Sequence, residues 1–106
     1  MSDTYSTLLY DLGDERYVVT SPIPATITHG EHRAQYEDYM ESDFTVEWPE
    51  MDIMGYGSTK DRAISDFRKR VISQFNEIVG APFDKIDVDT PEFRILRHCI
   101  ADLSGR

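Results

Sequence analysis

Apolar and polar residues alternate most clearly over Asp43–Trp48. Phe44, Val46 and Trp48 fall on one side and Thr45 and Glu47 on the other, the two-residue period of a half-buried β-strand. Pro49 ends that run. Met51, Ile53 and Tyr56 mark a second short strand, joined to the first by a tight turn at Pro49-Glu50 and leading into Gly55-Tyr56-Gly57. The period then changes. Ile64, Phe67, Val71, Phe75 and Ile78 advance by three or four residues, and Ala63, Ile72 and Val79 widen the stripe, which predicts an amphipathic helix over 60–79. Ser58 or Thr59 supplies its N-cap, Ser58 with Asp61 approximates a capping box, and Gly80 stops it. Asp66 and Arg70 are spaced for an i,i+4 pair on its wet side.

The flanks are less regular. Residues 5–12 and 16–20 are rich in aromatic and β-branched residues around Gly13-Asp14, a pattern that predicts a hairpin. Ser21-Pro22-Ile23-Pro24 interrupts the ladder, since proline donates no backbone hydrogen bond, before Ala25–Thr28 resumes as an extended run. This first strand region is expected to bend or to lie at an edge. His29-Gly30-Glu31-His32 is expected at a hairpin tip, and Arg33–Met40, with Ala34, Tyr36 and Asp38 in alternation, fits either strand or loop. Thr90-Pro91-Glu92 starts a second helix over 90–103 with Phe93, Leu96, Cys99, Ile100 and Leu103 on its buried side, and Ile86 and Val88 suggest a short extended segment before it. Together these elements predict an α+β fold: a small antiparallel sheet of three to five strands packed by one long helix, plus a C-terminal helix. A length of 106 residues suits one domain over 1–106 with one modest core.

Composition narrows the class further. No apolar run approaches the roughly 18 residues of a membrane span, and the Met-Ser-Asp-Thr-Tyr start has neither a basic nor a continuous apolar stretch, so a cytoplasmic location is the expectation. The net charge of −9 is unevenly spread: residues 1–58 hold twelve acidic and two basic residues, whereas residues 59–106 hold eight acidic and nine basic. An acidic first half repels the nucleic-acid backbone, which argues against direct DNA or RNA binding and for a basic protein partner. Arg62, Arg68, Lys69 and Arg70 make the long helix basic, either as a solvated face or as a contact for a second, acidic copy in a homodimer.

Candidate chemistry is sparse. Glycines before a helix suggest a phosphate cradle, but Lys60 follows Ser58-Thr59 and one residue separates Gly55 from Gly57, the wrong order and spacing for a P-loop. Gly55 and Gly57 instead suit positive φ or close approach at a strand-to-helix corner. His29 and His32 sit three apart around a glycine with no second distal pair, and Asp87-Val88-Asp89 lacks the further ligands of a calcium loop. Cys99 lies in an apolar setting that marks a core filler. No serine stands beside a base and no carboxylate pair has acid/base spacing, so the reading is a non-enzyme with no catalytic residue, no metal and no cofactor.

The segments "PIPATI", "FTVEWPEMDIMGYGST" and "KDRAISDFRKRVISQF" together resemble the HicB-like antitoxin family. In that family a strand ends in an aromatic-Pro-acidic step, a short second strand follows, and Gly-x-Thr opens a helix with alanine and an aliphatic residue in its first turns. Here those positions are Trp48-Pro49-Glu50, then Gly57, Thr59, Ala63 and Ile64, with Gly55 in the intervening strand. The resemblance covers about residues 22–79, with 80–106 as a C-terminal helical extension like that of short stand-alone relatives. Ser58 stands where the family usually has an acid and Arg62 where it often has glutamate. The resemblance implies a truncated RNase H-like β-β-β-α-β fold without nuclease activity. It implies an antitoxin-type role: binding and neutralising a small basic, RNA-cleaving toxin. The expected contacts are Tyr39, Met40, Glu47, Trp48, Glu50, Met51, Met54 and Tyr56, with Pro49, Gly55, Gly57, Thr59 and Ala63 as structural motif. The alternative is an acidic phage or mobile-element inhibitor that mimics nucleic acid against a host nuclease complex.

If opposite charges join two copies, light scattering at low salt will give a dimer mass that falls to the monomer as salt rises; a monomer at low salt and high concentration would contradict the charge-based homodimer.

Overall fold

The computed structural model describes residues 3–33, 40–80 and 89–103. In chain order the elements are β1 (Asp3–Leu9), β2 (Tyr17–Val19), β3 (Ile23–Arg33), β4 (Met40–Trp48), a 3-10 turn (Pro49–Met51), β5 (Ile53–Gly57), α1 (Lys60–Ile78), α2 (Pro91–Cys99) and β6 (Ile100–Asp102). The architecture is α+β. Strands β1, β3, β4 and β5 form one antiparallel sheet in that order, and β2 pairs with β6 in a second.

One face of the four-stranded sheet carries the core. Along β3 Ile23, Ala25 and Ile27 are buried, along β4 Val46 and Trp48, and along β5 Ile53 and Gly55. The α1 side chains Ala63, Phe67, Val71 and Phe75, spaced four apart, close over them. Ile64, Ile72, Ile78 and Val79 pack at the margin of that stripe. The spacing between helix and strand is set by β5. A Cβ on Gly55 would lie 2.6 Å from Phe67 Cα, and one on Gly57 would lie 2.7 Å from the Arg62 carbonyl carbon. Both glycines therefore serve close approach of two backbones, and neither has positive φ. The helix begins only two residues beyond the strand. Thr59 caps it by accepting from the Arg62 amide at 3.2 Å, a bond whose loss typically costs about 1 kcal/mol.

Ser58 is not that cap, but its hydroxyl accepts from Arg62 Nη1 at 3.3 Å. The expected hairpin of residues 5–12 with 16–20 does not form. Strand β1 pairs with β3, Tyr5 opposite Ile27, and β2 pairs with β6, Val18 opposite Ala101. Between them Asp11 Oδ1 accepts from the Gly13 amide and Asp14 Oδ1 from that of Arg16, local turns that lead the chain off β1. Pro24 lies inside β3 rather than breaking it; pairing with β4 begins at Thr26, so the missing N–H costs that ladder nothing. Residues 29–32 are strand rather than a hairpin tip, His29 facing Phe44 in the register. Residues 34–39 and 81–88, with the Ala34, Tyr36 and Asp38 alternation and the Ile86 and Val88 segment, lie outside the described residues. Met51 belongs to the 3-10 turn and not to the second strand.

The C-terminal helix is shorter than its apolar spacing predicts. Thr90 caps it, with Pro91 in its first turn, as expected. It stops at Cys99, and Ile100–Asp102 becomes β6, leaving Leu103 61% exposed. That ending is fixed by distant partners. Thr20 donates its amide to Cys99 O at 2.8 Å and its hydroxyl to His98 O at 2.7 Å, and the Leu103 amide donates to Arg16 O at 2.6 Å. Tyr17 then links this small sheet to α1 by packing edge-on to Phe75 and donating to Asn76 Oδ1 at 3.0 Å.

Gly55→Ala is expected to destabilise the fold by about 3 kcal/mol or more, because two backbones must separate; melting temperature checks it against Gly30→Ala, whose added Cβ meets nothing within 4 Å.

Candidate protein-interaction surface

Strand alternation sends Thr45, Glu47, Met54 and Tyr56 to the side of the sheet opposite α1. No described element covers that side. Register assembles two rows across it: Ser6, Thr26, Glu47, Met54, and Thr4, Thr28, Thr45, Tyr56. Hydroxyls fill its middle, with Thr4 Oγ1 and Thr28 Oγ1 3.3 Å apart. Apolar groups lie towards its two margins, Leu8 on β1 and the 59% exposed Tyr56 on β5. Glu47 stands directly beside Met54 in the neighbouring strand, and Glu50 and Asp52 are exposed in the connection between those strands.

The expected contact residues thus divide. Glu47, Met54 and Tyr56 come together on the uncovered face, and Glu50 is exposed at its end. Trp48 and Met51 do not join them: at 1% and 4% exposure they belong to the core, which corrects their expected place in an exposed hydrophobic subset. The same period that made Asp43–Trp48 legible as a strand puts Trp48 on the α1 side. Met40 opens β4 at the far end of that strand, and Tyr39 lies outside the described residues. Among the structural motif residues, Gly55 and Ala63 are buried in the helix–sheet contact, Gly57 is partly buried there, Thr59 is the cap, and Pro49 is exposed at the start of the 3-10 turn.

Trp48 also walls an open, mostly apolar groove of about 320 Å³ with Pro24, Glu50, Arg94, Ile95, His98 and Cys99. Among the described residues its buried Nε1–H has no acceptor. Burial, with the Glu50 charge adding to it, pushes the Cys99 thiol up, away from the thiolate that nucleophilic chemistry needs. This agrees with Cys99 as core filler. His29 stacks on Phe44 with ring centroids 4.3 Å apart.

The basic helix is partly self-neutralised. Arg70 Nε donates to Asp66 Oδ2 at 3.0 Å, and Arg68 reaches Asp11 at 3.3 Å. Asp66 does more than its i,i+4 spacing suggested. The same oxygen accepts from the Tyr56 amide at 2.9 Å, so a helix carboxylate is bonded to the outer edge of β5. No local pattern carries that signal, because it depends on how α1 lies across the strand.

Compared with protein-family models, with curated proteins and with solved structures, the chain matches none. No described helix is long and apolar enough to cross a membrane.

The Tyr56 amide first, then the Arg70 guanidinium, hold Asp66 below the ordinary carboxylate range. A lowered folded value means that the contribution is fully present above the unfolded value and is lost as pH falls through the folded one. Asp66→Asn should therefore melt below the unmodified protein at neutral pH, with the gap narrowing as pH falls below the ordinary aspartate value of about 3.9. A gap that stays constant with pH would contradict an ionised Asp66 as the stabilising group.

Proposed function

We propose that this chain is a non-enzymatic, HicB-like antitoxin-type protein that acts in the cytoplasm. It neutralises a small basic, RNA-cleaving toxin by covering it with the uncovered face of β4 and β5. The family part of the proposal rests on the Trp48-Pro49-Glu50, Gly57, Thr59, Ala63 and Ile64 pattern. The observation that carries the surface is the register placing Glu47 against Met54 beside Thr45 and Tyr56, with no described element over them. An aromatic and a thioether next to carboxylates suit a partner with apolar groups flanked by lysine or arginine: burial supplies affinity and charge supplies steering. Trp48 and Met51 support this surface from beneath, and a homodimer would present it twice.

Affinity purification of the full chain from its native host, read by mass spectrometry, tests the proposal. Recovery of a small basic protein is the expected result. A large nuclease complex would favour the nucleic-acid-mimicking inhibitor instead, and recovery of the chain alone would count against both. With the partner in hand, Glu47→Lys combined with Glu50→Lys should weaken binding at least tenfold, about 1.4 kcal/mol, mainly through slower association at low salt. Unchanged affinity would remove the acidic face from the account.

A further inference from the structure

Strand β5 pairs with β4 along one side only, and among the described residues no strand lies beyond it. The Tyr56 amide points to that open side, because its acceptor is Asp66 Oδ2 at 2.9 Å. Antiparallel alternation turns the Met54 main-chain groups the same way. Asp52 cannot lengthen this edge: its φ is 54° and its amide donates to Pro49 O at 3.2 Å. The open edge is thus Met54 and Tyr56, and one of its two donors is already taken by a helix side chain.

We propose that the β5 edge is a latent self-association surface for the β5 strand of a second copy, and that Asp66 is the latch that keeps it shut. The complementary arrangement is antiparallel about a two-fold axis at Gly55. Met54 of each copy then pairs with Tyr56 of the other, and Tyr56 amides supply half of the donors. The segment Ile53–Gly57 has no charge and no proline to resist this pairing. On the open face Met54 meets Tyr56 across the axis, a favourable thioether–aromatic pair. With Asp66 in place the Tyr56 donors are occupied in both copies, and two carboxylates are brought towards the same axis. Arg70 also donates to that oxygen at 3.0 Å, but the bond that occupies the Tyr56 donor is made by Asp66 itself. Toxin binding would use the face that carries the same Met54 and Tyr56 side chains, whereas this pairing is made by the main chain of the edge, so self-association of the chain alone tests it without any toxin.

Sedimentation velocity over a concentration series, at salt where the unmodified protein is monomeric, tests the latch. Asp66→Ala and Asp66→Ser should each dimerise at least tenfold more tightly than the unmodified chain, with native circular dichroism. Adding Met54→Pro, which removes a donor from an edge position, should return either variant to monomer. In the dimer the Met54 and Tyr56 amides should gain protection from hydrogen exchange. Arg70→Ala, which leaves the acceptor, should stay close to the unmodified protein. Monomeric, folded Asp66→Ala and Asp66→Ser at every concentration would overturn the proposal. So would a dimer that Met54→Pro does not affect, or one as strong in Arg70→Ala as in Asp66→Ala.

Discussion

The contact between the α1 backbone and the glycines of β5 sets the geometry of the rest of the molecule. A helix normally rides on a sheet at a distance fixed by side chains from both layers. Here Gly55 and Gly57 remove one layer, and Ala63 keeps the other thin, so Phe67 and the Arg62–Ala63 peptide sit directly on the strand. The low seat lets Phe67, Val71 and Phe75 join the core with Ile27, Val46 and Trp48. It also explains the short corner. With helix and strand in backbone contact, two residues make the connection, and Thr59 serves as both the end of the turn and the cap.

Functional consequences follow from the same seat. Because α1 covers one face of the sheet, the alternation of β4 and β5 delivers Glu47, Met54 and Tyr56 to the other. Because α1 lies so low, its Asp66 reaches the Tyr56 amide at the strand edge. One close contact thus divides the hairpin into a buried side, an uncovered face and a plugged edge. The acidic residues are concentrated in the half of the sequence that builds the sheet, and the basic residues of α1 are drawn partly into pairs with Asp66 and Asp11.

Local chemistry was legible from the chain. The strand ending at Trp48, the helix from Lys60 with a hydroxyl cap at 58 or 59, the helix start at Thr90-Pro91 and the Asp66–Arg70 pair follow from period, cap and spacing, and all are present, Thr59 being the cap of the first helix. Pairing across long stretches of sequence was not. A three-residue strand such as Ile100–Asp102 has the same apolar spacing as the end of a helix until Tyr17–Val19 lies beside it. Likewise Gly13-Asp14 looks like a hairpin turn, yet β1 finds its partner in β3, beyond Pro22 and with Pro24 inside the pairing. Of the surface residues, alternation alone would have separated Glu47 from Trp48. The burial of Met51 needed the 3-10 turn to fold it inwards.

The most direct test of the backbone contact is a nuclear Overhauser measurement on the labelled protein. Seating α1 on glycine predicts strong cross-peaks from the Gly55 α-protons to the Phe67 amide and from the Gly57 α-protons to the Ala63 amide. Absence of both, with the helix and the β4–β5 hairpin otherwise intact, would show a helix held off by side chains and contradict the geometry on which the uncovered face and the plugged edge depend.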